Sequence, residues 1–257
     1  WSFNIKILLL CYIMVMDMEL MGLDMQLKNK ILSLMQPTYF PWLGYFNLIK
    51  QSDIFVLYNT TQLQKRSWQT RNKIKTSNGE LFLNIPIKKT TSRDNLFISN
   101  AEISYDTNWI KKHLDSIKYS YIKTNYFNDI YPIIQNRLES KPKYLSNLHC
   151  DLICDFLKIL DIDTQIINSQ DIKYTGKKDE ALISICKSLN VNNYLSVKGS
   201  KDYILQGDNL FAKNNINLEW HEYVHPNYKQ INGDFISHLG IIDALFNIGP
   251  KETKKLI

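Results

Sequence analysis

No stretch of the sequence is long and apolar enough to cross a membrane. The apolar run Ile7–Met16 covers ten residues, against the roughly 20 that a spanning helix needs. A secretory signal wants a basic start and a small-residue cleavage site, and Asp17-Met18-Glu19-Leu20-Met21-Gly22 offers neither clearly. Cysteine is scarce. Cys11, Cys150, Cys154 and Cys186 are too few and too scattered for a disulfide scaffold, which fits a reducing cytoplasm. Cys150 and Cys154 share one helix face, but zinc would need further ligands, and His149 points elsewhere on that helix. Two structural thiols are the favoured reading, and no metal site is expected. No internal repeat stands out, and no low-complexity linker divides the chain.

What is present is an ordinary globular composition, 44% hydrophobic and 22% charged over 257 residues. That length can bury a full core. The formal charge is +6. Lys6 against Asp17, Glu19 and Asp24 leaves the first 24 residues net negative, so the rest is more basic still. A basic balance favours anionic partners, although a lysine-rich surface gives the same sum. Met25-Gln26-Leu27-Lys28-Asn29-Lys30 reads as a natural start running into a first strand. Residues 1–24 are then an extension outside the fold, with a weak membrane anchor as the lesser alternative.

Short apolar runs bounded by polar turns predict strands at Ile31–Met35, Ile54–Tyr58, Leu81–Ile87, Thr164–Asn168, Tyr194–Val197 and Asn217–Trp220. Asn78-Gly79 is a turn signal. Helical spacing predicts helices over Gly44–Gln51, Trp109–Tyr119, Ile130–Leu138, Tyr144–Leu160, Lys178–Leu189, Lys201–Phe211 and Phe235–Asn247, the last stopped by Gly249-Pro250. Strand, helix, strand at the start favours a parallel pair joined by a right-handed crossover. The expectation is an α/β fold with a mostly parallel, Rossmann-like sheet. Residues 25–257 would form a single domain with a helical insert around 107–160.

Four blocks carry candidate chemistry. The first is the turn after the first strand, Gln36-Pro37-Thr38-Tyr39-Phe40-Pro41-Trp42-Leu43-Gly44-Tyr45, where ligands bind in open α/β sheets. It is similar to the turn of HIGH-signature nucleotidyltransferases. That sheet is one possible template, but Trp42 and Tyr45 stand in place of the two histidines. Tyr39, Trp42 and Tyr45 can then wall a pocket for a base or sugar, with Gln36 and Gly44 beside them. The second block, Gln62–Lys75, packs Lys65, Arg66, Arg71, Lys73 and Lys75 into a short span with Trp68 and Asn72. Arg71 and Lys73 are candidates to hold an anion, and a solvated basic loop is the plainer alternative. The third runs from Tyr194 through Gly199 and Ser200 to Tyr203, a turn into a helix that can meet an anion or simply be capped. The fourth spans His221 to Asn247. Pro226 keeps His221 and His225 off one helix face, so a metal pair is not expected. His225 is a candidate acid or base. Asp243 sits on the apolar face of the last helix and must find a partner or face a cavity, with Asn247 as a neighbour.

Together and in this order, the blocks resemble the WbqC-like family of bacterial proteins, over roughly Ile31 to Gly249. The carriers are Gln36–Phe46, Trp68–Ile74, Tyr194-Leu195-Ser196 ahead of Gly199 and Tyr203, His225–Gln230, and Leu239–Gly249. The resemblance implies a cytoplasmic role in surface-polysaccharide biosynthesis, O-antigen or capsule. It implies a transferase that binds a nucleotide-activated sugar or an activated acyl or aminoacyl donor. In that scheme His225 and Asp243 are catalytic. Gln36, Tyr39, Trp42, Gly44, Tyr45, Trp68, Arg71, Asn72, Lys73, Gly199, Tyr203, Gln230 and Asn247 bind substrate. No cofactor is named. Other glycan-biosynthesis proteins are candidate partners, and nucleic acid ranks last. The alternative is a non-catalytic binding or scaffold protein of a glycan-assembly complex. Two departures stand out: Asn59-Thr60-Thr61 replace an acidic residue usual in the family, and Gly240 replaces a common Ser.

Overall fold

The structure is a computed structural model, and it describes residues 29–64, 66–89, 94–201 and 210–257. The expected extension, Lys65, Tyr203 and most of the expected Lys201–Phe211 helix lie outside these residues. The described elements alternate as an α/β chain. They are β1 (Ile31–Met35), α1 (Leu43–Lys50), β2 (Ile54–Leu57), β3 (Arg71–Thr76), β4 (Gly79–Asn84), α2 (Trp109–Tyr121), α3 (Phe127–Glu139), α4 (Leu145–Ile159), β5 (Gln165–Asn168), α5 (Asp179–Ser188), β6 (Asn193–Val197), α6 (Leu210–Lys213), β7 (Asn217–His221) and α7 (Ile241–Lys255). The five-stranded sheet has the order β5-β2-β1-β6-β7. β6 lies parallel to both β1 and β7, as expected of a Rossmann-like arrangement. β3 and β4 form a separate antiparallel hairpin.

The chain divides into two compact units. One holds the start of β1 with residues 172–221. There, Ser33 Oγ donates to Leu195 O at 3.0 Å, which satisfies a hydroxyl inside a buried strand. Tyr194 stacks on Phe211 with centroids 5.7 Å apart.

The other unit holds the end of β1, α1, the hairpin, α2 to α4, β5 and α7. Its core is aromatic: Phe40 and Phe46 both meet Phe156, and Tyr121 stacks on Phe246 at 4.7 Å. The amphipathic stripe of α4, with Leu145, Leu148, Leu152 and Phe156, is buried in full.

Two expectations need correction. Residues 71–76, read as part of a basic loop, form strand β3, paired residue by residue with β4 from Arg71↔Asn84 to Thr76↔Gly79. The last helix begins at Ile241 rather than Phe235 and runs on past Gly249 to Lys255, with a kink. The late start has a local cause. Ile236 N–H donates to Gln230 Oε1 and Ile236 C=O accepts from Gln230 Nε2, both at 2.9 Å. Backbone groups held by that side chain cannot join a helical ladder. At the kink, Gly249 has φ +77°, and a Cβ there would lie 2.4 Å from the Tyr126 ring.

Candidate functional site

The turn after β1 is built by one side chain. Asn72, buried on β3, donates to Tyr39 O at 2.8 Å and Phe40 O at 2.7 Å, and its Oδ1 accepts from Lys73 N–H at 2.8 Å. Phe40 is held at φ +44°, a left-handed conformation that a bulky residue takes only when its surroundings fix it. Tyr39 N–H donates to Trp68 O at 2.9 Å, which ties the turn to the segment ahead of β3. On the far side, Trp42 bridges Gly240, and Ile241 N–H donates to Pro41 O at 2.8 Å.

This frame encloses a cavity of about 180 Å³ lined by Met35, Thr38, Trp42, Tyr45, Trp68, Asn72 and His238. Its walls are chiefly ring faces. Trp68 is 49% exposed and forms a half-open side. Trp42 stacks on His238 at 5.0 Å and on His225 at 6.0 Å, with Tyr223 edge-on at 5.5 Å. The indole lies over Gly44, where a Cβ would fall 2.2 Å from its carbons. The close approach that Gly44 permits is therefore filled by the chain's own Trp42.

His225 and His238 pack with centroids 4.6 Å apart. His238 N–H donates to His225 Nε2 at 3.2 Å, so Nε2 is the acceptor nitrogen and the ring proton sits on Nδ1. Burial, then the neighbouring His238, lowers the His225 pKa and favours the neutral ring.

The basic block is largely committed to the hairpin. Lys73 pairs with Glu80. Lys75 is buried and donates to Gln230 Oε1 at 3.2 Å, to Gly233 O at 3.1 Å and to Asp234 O. Arg71 differs: its guanidinium lies 4.7 Å over Phe82, which stacks on Trp68, and it makes no hydrogen bond among the described residues.

Asp243 has found partners rather than open space. It is fully buried, and accepts from Tyr121 Oη at Oδ1 and from Tyr228 Oη and Gln230 Nε2 at Oδ2, each at 2.8 Å. Burial raises its pKa, while those three donors and Lys75 oppose the rise. Asn247 donates to the Asp243 backbone carbonyl at 2.7 Å and accepts from Ile231 N–H at 2.9 Å. Gln230, Asp243 and Asn247 thus anchor the irregular segment that carries both histidines.

Of the other expected site residues, Gln36 accepts from Gln69 Nε2. Tyr39 is buried on Phe40, its hydroxyl 3.1 Å from His113 Nδ1. Gly199 lies in a short 3-10 turn, Lys198–Ser200, in the other unit. Asn59 bonds Asn168, Ser169 and Gln170 at the ends of β2 and β5. Met35, Thr38 and His238 line the cavity without having been singled out. His238 was hidden because Phe235–Asn247 reads as continuous helix. Among the described residues no group of three or more His, Cys, Asp or Glu could hold a metal, and no helix is long and apolar enough to cross a membrane.

The family model of the WbqC-like protein family matches residues 36–255. The chain is 31% identical over 222 residues to uncharacterized protein Rv1507c of Mycobacterium tuberculosis, covering 86% of this chain and 94% of that one. No solved structure matches.

Proposed function

Since the chain belongs to the WbqC-like protein family, we propose that it serves bacterial surface-polysaccharide biosynthesis as a cytoplasmic transferase that binds a nucleotide-activated sugar. The observation that carries this reading is the ring-walled cavity at Trp42, with Trp68 half-exposed on one side. Its volume, about 180 Å³, is below the roughly 300–1,000 Å³ of whole-ligand pockets. It takes one ring, and the rest of the donor lies outside. Arg71, whose guanidinium lies over Phe82, the ring stacked on Trp68, and makes no hydrogen bond among the described residues, is the candidate to meet a diphosphate, which guanidinium binds bidentately. His225, whose ring burial holds neutral, is the candidate proton carrier beside the ring, with His238 packed against it. Asp243, saturated with donors, holds the histidine-bearing segment in position.

The test is a thermal-shift and calorimetric panel of UDP-, dTDP- and GDP-sugars, acyl-CoA and ATP. A nucleotide sugar should stabilise the protein. Base-on-aromatic stacking contributes about 1–3 kcal/mol, so Trp68→Ala should weaken binding roughly tenfold or more while leaving the fold intact. No shift with any member of the panel would defeat the reading. An activated acyl or aminoacyl donor is the variant outcome.

The second reading is a non-catalytic binding or scaffold protein of a glycan-assembly complex. Its support is that Asp243 and Lys73 are already occupied by partners inside the unit. It expects unchanged glycan output from Arg71→Ala and His225→Ala variants, which the transferase reading does not.

A further inference from the structure

A second cavity, of about 690 Å³, lies in the same unit, where the tip of the β3–β4 hairpin meets the end of α2 and residues 231–232. Unlike the ring cavity, it falls within the roughly 300–1,000 Å³ of whole-ligand pockets. Strand β3 joins the two, since Asn72 lines the ring cavity and Thr76 lines this one. Four residues at about 3.3 Å each set those positions roughly 13 Å apart along the strand, so the two cavities can be filled independently. Tyr119 is 82% exposed at the second cavity. Its ring stacks on no other ring, and its hydroxyl makes no hydrogen bond, among the described residues. Around it, the side chains of Ser77, Asn78, Ser120 and Asn232 present hydroxyls and amides that are likewise unbonded among the described residues. Such groups both donate and accept, and an apolar ligand that excluded water would leave them unpaired. A sugar ring suits both parts of the lining: its C–H face packs on an aromatic ring, and its hydroxyls donate and accept. Of the two charged side chains here, Glu80 pairs with Lys73, whereas Lys123 has no ion pair among the described residues. The unmatched charge is positive and favours a carboxylate on the ligand.

We propose that this cavity holds an acidic oligosaccharide, a sugar chain carrying a uronate-type carboxylate. Tyr119 stacks on a pyranose ring, Asn78 and Asn232 hydrogen-bond its hydroxyls, and Lys123 meets the carboxylate. For its purpose, holding a glycan chain while the ring cavity takes the nucleotide sugar, the site rests on the proposed role in polysaccharide biosynthesis.

The experiment is an array of immobilised bacterial capsule and O-antigen fragments, acidic and neutral, probed with the full-length protein and read with an antibody to an affinity tag. Acidic fragments should capture the protein. Calorimetry with the best-captured fragment should then show Tyr119→Ala weakening binding by roughly tenfold, and Lys123→Gln weakening it as well. Both positions are exposed, and circular dichroism confirms that the variants fold. No capture of any fragment by the folded protein, or capture of neutral fragments alone, would overturn the proposal. Undiminished binding by Tyr119→Ala would also overturn it, because the glycan would then sit elsewhere. Nucleotide-sugar binding is measured on the same preparation without glycan. Capture without nucleotide-sugar binding would defeat the donor reading and leave this site standing, and nucleotide-sugar binding without capture would do the reverse.

Discussion

At the residue scale, the turn that frames the site depends on one buried amide, Asn72. It makes three hydrogen bonds, two to carbonyls of the turn and one to the next backbone N–H. Removing its amide strands buried backbone groups, each costing about 1–3 kcal/mol, not additively. Asn72→Ala should therefore destabilise by about 3 kcal/mol and weaken ligand binding together, as urea denaturation and the nucleotide-sugar titration would show. A loss below about 1 kcal/mol would mean the turn is fixed by other contacts. The sequence made part of this legible. Trp42 and Tyr45, read as ring walls, and Trp68 and Asn72, read as stacking and hydrogen-bonding groups of the basic block, line one cavity, whereas Tyr39, read as a wall, is buried against Phe40. The role of Asn72 was not legible, because an amide that binds a ligand and one that binds a backbone carbonyl are the same residue on paper.

At the scale of elements, the two mistaken stretches share a physical origin. In β3 the positions that turn inward are Asn72, Ile74 and Lys75. Only one of them is apolar, so the alternation that marks a strand is hidden under a charge run. In residues 235–240 the apolar spacing is helical, but the Gln230 side chain takes both backbone groups of Ile236, a long-range competition that no local pattern reveals. Regular elements with clean periodicity were legible to within a few residues, α4 and β1 among them. The kink in α7 gives a test at this scale. Gly249 and Gly79 both have positive φ, +77° and +97°, but only Gly249 has a neighbour, the Tyr126 ring, in the space a Cβ would take. A positive-φ cost of about 1–3 kcal/mol applies to both, and Gly249, with ψ 171°, lies in a region that is essentially glycine's alone. Gly249→Ala must also displace the ring, at about 1–3 kcal/mol more. Thermal or urea unfolding should rank Gly249→Ala clearly below Gly79→Ala. Equal costs would show that α7 reseats on Tyr126 without strain.

At the scale of the whole molecule, buried histidines set how stability follows pH. His149 is fully buried on α4, and desolvation lowers its pKa to about 3 against a backbone contact at Gln69 that favours the charged ring. His113 is lowered to about 4 by the same cause. Both are near 6.5 in the unfolded chain. Below pH 6.5 the unfolded state therefore binds more protons than the folded one. Stability present above pH 6.5 must decline as pH falls towards the folded values. Asp243 acts in the opposite sense: its raised pKa means the folded state holds its proton longer, which favours the fold at the acid end. The net slope thus mixes signs, and only a difference between proteins isolates one group. Urea midpoints at pH 7, 6, 5 and 4.5 should show the wild type losing stability faster than His149→Leu across this window. The leucine variant changes the offset at pH 7 through packing, but flattens the slope because the titrating ring is gone. Parallel curves for the two proteins would mean that His149 titrates alike in both states, and its burial would then carry no pH dependence. Above pH 6.5 both curves should be level with respect to this residue.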